Sequence, residues 1–435
     1  MPTPLTEAAV LADPEDTTLD AGNATALGDT TGRRIGWWNR WCRGQVLSRL
    51  TGMALRLRDR TGHLLHDGGS GPTVTVLDDR LWASVALDGS DGSGDAYAAG
   101  WWQSDDLIAV ARLFARERIR LREIDGGLGR ALMPLHAFRN LFCRNTRSGA
   151  RDNIHRHYDL GNAFFSRWLD PTLTYSSARW PHRDATLEEA QRHKLVQLFD
   201  RLALQPGEHL VEIGSGWGAL AIEAARTRGV RVTTVTISSE QHRLAIERIA
   251  AVGLSDKIEV KLCDYRDLTG TYDKLVSVEM IEAVGSAFYG TFFQTCSRLL
   301  KPGGLAVLQA ITIPDREFAR AARESDFIKR RIFPGCCIPS LGALLAAAST
   351  HSDLDLVHHE DFAPHYARTL ALWLNDVRAI GPELAGMGYD EEFQRLWHFY
   401  LAYCSGGFAE RALGVAHLTF AKPAWRHADQ TWLAP

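Results

Sequence analysis

Residues 277–285 read SVEMIEAVG, an apolar run ending in two carboxylates, Glu279 and Glu282. An acid at the mouth of a strand can be a solvated loop residue, a helix cap or a proton acceptor, and its surroundings decide between them. Upstream, VEIGSGWG (211–218) has the form of a strand running into a glycine-rich turn and then a helix. Gly214, Gly216 and Gly218 allow a sharp turn and let a ligand lie against main-chain atoms. Their spacing is GxGxG, not the GxGxxG of a dinucleotide fingerprint. Glu212, just before the first glycine, would repel a pyrophosphate and suits a cationic ligand. S-adenosylmethionine carries both a sulfonium and an ammonium group, so it is the expected cofactor, with Ser215 in the same turn. The next strand ends in TISSEQ (236–241) without an acid at its tip, leaving Thr236, Ser238 and Gln241, around Ile237, to supply the polar contacts. DYRDL (264–268) offers Asp264 and Tyr265 to an adenine.

These residues need a scaffold, and from about residue 205 the pattern supplies one. HLVEIG (209–214), RVTTVTI (231–237), IEVKLCD (258–264), KLVSVEM (274–280) and GLAVLQAIT (304–312) are short apolar runs. Helical stretches such as WGALAIEAARTRG and SEQHRLAIERIAAVG separate most of them. That alternation predicts a parallel sheet covered on both faces. A strand near 354–360, helices near 366–378 and 391–412 and a last strand GVAHLTFAKP complete the region.

The N-terminal third reads differently. Residues 1–32 lack any sustained period and read as a disordered tail. RRIGWWNRWCRGQVLSRL (33–50) interleaves arginines with Trp37, Trp38 and Trp41. It is either a helix docking its indoles on its own domain or a segment lying at a lipid headgroup boundary. Two strand-like runs follow, ALRLRDRTG and TVTVLDD, then a loop, GSDGSGDAYAAGWW (89–102). SDDLIAVARLFARERIRLREI (104–124) predicts a helix with a serine cap and a second basic surface from Arg116, Arg118, Arg120 and Arg122.

Composition narrows the function classes. A net charge of −3 argues against a general nucleic-acid binder. Seven scattered cysteines show no metal spacing, so no metal site is expected, and reduced thiols fit a cytoplasmic protein. No run approaches the length of a membrane span.

The order and spacing of the motifs go further. HYDLGNAFFSRWLDPTLTYSSARW (157–180), VEIGSGWG, TISSEQ, CDYRDL, VSVEMIEAVG, LKPGG (300–304), FIKRRIFPGCCIPSL (327–341) and FYLAYCSGGFAERALGV (399–415) together resemble the cyclopropane-fatty-acid synthase family. GDAYAAGWWQSDDL resembles the N-terminal domain of its longer members. The resemblance implies a class I methyltransferase fold, a Rossmann-like doubly wound sheet with an antiparallel last strand, over 146–435. It also implies a smaller mixed domain for lipid binding or dimerisation over 33–145. The implied reaction is methyl transfer to the double bond of an unsaturated phospholipid acyl chain in a bilayer, by a peripheral protein on the inner face of the cytoplasmic membrane. Homodimerisation is part of the same implication.

By resemblance, Tyr175 and Ser176 touch the cofactor, Glu282 holds a bicarbonate ion that serves as the base (the glutamate acting directly as base being the close variant), Tyr366 meets the same ion, and Cys404 is an active-site residue. Three positions depart from the family pattern. Ser177 stands for a cysteine, Ala283 for a histidine, and Gln309 for a histidine that would meet the bicarbonate. Those changes leave two products open. Ring closure gives a cyclopropane; a hydride shift gives a methylene branch, which needs a separate reductase to become methyl. An alkene is a poor nucleophile, and in-line orientation can supply ~7–11 kcal/mol of barrier reduction. The cation it leaves needs a dry wall, for which Tyr158, Phe165, Tyr175 and Phe333 are candidates. A methyltransferase of a small soluble substrate and a non-catalytic lipid-binding protein are the rival readings.

Overall fold

The computed structural model describes residues 36–124 and 161–426, apart from residue 325. The tail expected over 1–32, and Tyr158 with most of HYDLGN, lie outside the described residues.

The first described unit is a small α/β layer. The helix Trp37–Leu50 precedes strands β1 (Arg56–Asp59), β2 (Leu64–Asp67) and β3 (Thr73–Val76), and β4 (Trp102–Ser104) completes a sheet of order β2-β1-β3-β4. Two helices, Arg80–Ala98 and Leu107–Ile124, flank it. The loop expected at 89–102 is a correction: residues up to Ala98 continue the helix across a kink at Gly89, whose φ is +55°. Gly92 and Gly94 are there for closeness, not for turning. A Cβ on Gly94 would sit 2.5 Å from the Phe327 ring, and one on Gly92 would sit 2.1 Å from the Ser84 carbonyl.

The second helix is also capped differently from expectation. Asp106 accepts from the Ala109 N–H, while Ser104 ends β4. The expected basic surface on that helix turns out to be partly a seam. Arg112 and Arg116 both donate to Glu410, and Arg120 reaches the Thr51 carbonyl. The Trp37–Leu50 helix keeps its indoles outward: Trp37 is 73% exposed, Trp38 39% and Trp41 40%, with only Cys42 and Leu50 buried. Trp37 thus stands clear of the domain, whereas Trp38 and Trp41 stack on each other at 5.3 Å and are more than half covered.

The larger unit is the expected doubly wound sheet. Its strands are β5 (His209–Ile213), β6 (Arg231–Thr236), β7 (Ile258–Leu262), β8 (Tyr272–Val278), β9 (Leu300–Thr312), β10 (Asp355–Asp361) and β11 (Gly414–Ala421), in the order β10-β11-β9-β8-β5-β6-β7. Pairings from β9 to β7 are parallel, and β11 runs antiparallel between β9 and β10. The order reverses at β5, so the glycine turn after β5 opens onto the crevice where ligands of such sheets bind.

The two units share a core. One buried apolar cluster runs from Cys42, Leu57 and Trp82 through Phe165 and Trp168 to Trp373, Trp397 and Phe408. The helix Leu107–Ile124 lies so close to the helix Glu391–Ala409 that Gly406 faces Ala111 with no room for a side chain. Arg330 crosses the same seam to Asp95 at 2.5 Å, with Asp91 3.5 Å away. Burial pushes the Asp91 carboxyl up to about 7 despite that guanidinium.

Candidate active site

One cavity of about 1670 Å³ joins the expected cofactor residues to the apolar interior of the N-terminal unit. Tyr175, Ser176, Glu212, Gly214, Ser215, Gly216, Thr236, Ile237, Gln241, Asp264 and Tyr265 all line it. Ser238 stands just behind, capping the helix Ser239–Ala251 through the Gln241 N–H. Thr236 donates to the Gln241 side chain at 2.9 Å and accepts from the Ser238 N–H, so the strand tip is a closed polar knot. Gly214 (φ +100°), Gly216 (+48°) and Gly218 (+85°) hold the left-handed turn that only glycine adopts without strain.

Glu212 is 3% exposed, and its Oε2 is buried without a hydrogen-bond partner. Burial pushes its carboxyl up to about 8. An unpaired acid walling a cavity beside three glycines is what an ammonium-bearing ligand needs. S-adenosylmethionine fits this end of the cavity. Asp264 differs from expectation in detail: its carboxylate caps the turn Tyr265–Asp267 and is gripped by Arg266 at 2.6 and 2.8 Å. Tyr265 presents its ring and a buried, unpartnered hydroxyl beside it.

Past the glycine turn lie the two glutamates, and the structure corrects their roles. Glu282 does not meet Tyr366 or Gln309. Its Oε1 accepts from the Ile311 N–H, its Oε2 is buried without a partner, and burial plus the charge of Glu279 push it up to about 8. The side chains expected around bicarbonate converge on Glu279 instead. Its Oε1 accepts from the Ser177 N–H at 2.9 Å and from Gln309 Nε2 at 2.7 Å, and its Oε2 accepts from the Tyr366 hydroxyl at 2.8 Å. The donors assigned to a bound bicarbonate are thus already engaged by a carboxylate of the chain, and this site does not fit that ion. Glu279 adopts φ +48°, a left-handed conformation costing a non-glycine residue roughly 1–3 kcal/mol. The turn swings its side chain into the donor set.

Ser177 acts through its backbone; its hydroxyl bonds the Ala178 carbonyl. Cys404 lines the cavity, but burial pushes its thiol far above the ordinary range, so it is wall and not nucleophile. Of the aromatic candidates, Tyr175 and Phe333 line the cavity, whereas Phe165 is packed into the neighbouring aromatic cluster. Tyr400, bonded to the Tyr175 hydroxyl at 3.0 Å, takes its place.

Two residues escaped the sequence reading. Lys194 is fully buried, donates to Ser176 Oγ at 2.7 Å and is lowered to about 8 by burial, with Glu279 and Asp170 opposing. The available signal was a lysine on the apolar face of the helix Leu187–Arg201, in register with the buried Ala190, Leu195 and Leu198. His417, at 0% exposure in β11, bonds Gln309 Oε1 at 2.9 Å. Burial holds the imidazole neutral, so its Nε2–H donates and turns the Gln309 amide N–H toward Glu279. A histidine inside an otherwise apolar strand was its signal.

Fold, glycine turn and orphaned acid define a class I S-adenosylmethionine-dependent methyltransferase. The sequence profile of the mycolic acid cyclopropane synthetase family matches residues 145–418, and the chain belongs to that family. It is 39% identical over 348 residues to a tuberculostearic acid methyltransferase of Mycobacterium tuberculosis, spanning 78% of this chain and 81% of that protein. With the cyclopropane-fatty-acyl-phospholipid synthase of Escherichia coli K12 it shares 34% identity over 378 residues, 85% of this chain and 93% of that one. Among solved structures, a mycolic acid cyclopropane synthase in complex with SAH and CTAB superposes with a TM-score of 0.59 at 31% identity, covering 62% of this chain and 98% of that one.

Proposed function

We propose that this enzyme transfers a methyl group from S-adenosylmethionine to the double bond of an unsaturated phospholipid acyl chain. The observation that carries this reading is the single cavity, which runs from the glycine turn past Glu279 and Tyr366 into a lining of Leu55, Leu57, Val74 and Trp82. Its volume exceeds the 300–1,000 Å³ of ordinary small-molecule pockets, as a site for a cofactor and a long apolar chain must. When bound, the cofactor supplies an electrophilic methyl group. The chain's residues hold the alkene in line with it, keep water away with Tyr175, Phe333 and Tyr400, and take up the proton that is lost. Bicarbonate has no part in this reading, because Tyr366 and Gln309 are engaged elsewhere.

Ring closure to a cyclopropane is the first product reading. The 39%-identical relative, named for tuberculostearic acid, favours a second, a methylene branch that a separate reductase would saturate. Proton NMR of lipids recovered after incubation with S-adenosylmethionine and dioleoyl phospholipid vesicles decides: high-field cyclopropyl signals support the first and terminal methylene signals the second. Unchanged oleoyl chains would sink both.

Among the described residues no helix is long and apolar enough to cross a membrane. Contact with the bilayer falls to Trp37, Trp38 and Trp41, exposed on a helix that also carries Arg40, Arg43 and Arg49. Replacing the three indoles by alanine is expected to weaken sedimentation with anionic vesicles by more than about tenfold, ~1.4 kcal/mol of partitioning. Unaltered sedimentation would move the membrane contact to another face. Homodimerisation through the N-terminal unit remains part of the proposal, checked by light scattering.

A further inference from the structure

Building on the proposed methyl transfer, we infer that Glu279 is the resident base of this active site, a carboxylate of the chain standing where an exogenous anion would otherwise bind. Four observations converge. Glu279 lines the cavity between the cofactor end and the apolar end, beside Met280 and Tyr366. Both of its oxygens are fixed by donors from three separate parts of the fold, the Ser177 N–H, Gln309 and Tyr366. One donor is itself held in register, because the neutral His417 fixes the Gln309 amide. The backbone accepts a left-handed φ at this residue to aim it, a strain of the kind that persists where the surroundings over-determine it. Burial raises the Glu279 carboxyl above its ordinary value, as suits a proton acceptor, and the three donors and the charge of Lys194 oppose that rise.

The two glutamates then divide the work. Burial raises the Glu279 carboxyl and its three donors oppose that shift, whereas Glu282, with one donor and the Glu279 charge near it, is pushed up to about 8 and is the neutral partner. In the step itself, the π pair of the alkene forms the new C–C bond as the S–CH₃ bond breaks and its electrons stay on sulfur. The other alkene carbon is left cationic. Glu279 accepts a proton from the transferred methyl carbon: the released C–H pair closes the ring onto the cationic carbon directly or, where a 1,2-hydride shift has first moved the cation to the methyl-bearing carbon, forms the carbon–carbon double bond of a methylene branch. The proton ends on Glu279 and leaves to solvent after product release. No oxidant, reductant or added base is needed. Gln309, His417 and Tyr366 are positioning residues.

The test compares wild type, Glu279→Gln and Glu279→Gly in buffer stripped of carbon dioxide. Glycine suits the left-handed backbone, so this variant relieves strain while opening an anion-sized space. Wild type is expected to turn over dioleoyl vesicles equally with and without added bicarbonate. Glu279→Gln is expected to lose at least about 10²-fold, the lower end for general base help, while still binding S-adenosylhomocysteine. Glu279→Gly is expected to be as impaired in stripped buffer and to recover with millimolar bicarbonate. Wild-type turnover that collapses on stripping and returns with bicarbonate would overturn the inference, as would a fully active Glu279→Gln. A second readout does not depend on turnover. ¹³C-bicarbonate titrated into the S-adenosylhomocysteine complex should show no bound signal with wild type and one with Glu279→Gly. A wild-type bound signal would sink the inference even where the dioleoyl substrate reading had failed by itself.

Discussion

Glu212→Gln is expected to cost the protein about tenfold to a hundredfold in affinity for S-adenosylmethionine, the roughly 1.5–3 kcal/mol of a charge-assisted hydrogen bond. The acid is buried, walls the cofactor end of the cavity and has one oxygen with no partner. Its ionised form is unfavourable until a cation arrives. In the free protein its carboxyl titrates near 8, above its ordinary 4.5, so at pH 7 it is largely protonated. A cationic ligand favours the charged form, so affinity should rise with pH up to about 8 and level off above it. Near pH 7, binding should release a proton, visible as a dependence of calorimetric heat on the ionisation enthalpy of the buffer.

The stability of the free protein should run the other way. A carboxyl whose folded value is raised contributes fully below its unfolded value and loses that contribution as pH climbs from about 4.5 through 8. The glutamine variant should therefore bind worse yet unfold later than wild type at pH 8, and should release no proton on binding. Equal affinity in the two proteins would show that the cofactor's ammonium is held elsewhere.

The second large effect is mechanical. Gly406→Leu should destabilise the fold by about 3 kcal/mol, the upper part of the usual range for overpacking. A Cβ at Gly406 would lie 2.7 Å from the Ala111 carbonyl carbon and from its Cβ, and 2.7 Å from the Arg112 nitrogen. Two of those three atoms are backbone, so the helices must move apart as bodies. The helix Glu391–Ala409 carries Tyr400 and Cys404 into the cavity, and Glu410 just beyond it receives Arg112 and Arg116. Turnover on vesicles should consequently fall with stability, while cofactor binding at the glycine turn after β5 should change less. Gly386→Ala is the control, since nothing lies within 4 Å of its would-be Cβ. It should shift the urea midpoint negligibly. A Gly406→Leu protein with wild-type stability would mean that the two units are not pressed together as described.

Much of this protein is determined by local sequence. Strand–helix alternation over β5 to β9, the glycine turn after β5 and the strand-tip knot of Thr236, Ser238 and Gln241 arise from contacts within a few residues, and periodicity and turn chemistry report such contacts directly. The exposed indoles of the first helix were visible as a pattern, although which way they faced was not.

What tertiary structure alone decided is who meets whom across long separations. Ser177 and Glu279 are 102 residues apart in sequence, and Tyr366 and Glu279 are 87 apart. In EMIE both acids were available, and motif position favoured Glu282. A single left-handed residue reversed that choice, because φ at Glu279 is set by packing and not by the side chain's own preference. The glycines of GSDGSGDAYAAGWW read as a loop for the same reason. Glycine permits both a bend and a close approach, and only the arrival of the Phe327 ring against Gly94 distinguishes them. His417 and Lys194 acquire meaning by burial: a histidine or lysine in a string of letters carries no sign of the apolar walls that fix its protonation and aim its one hydrogen bond.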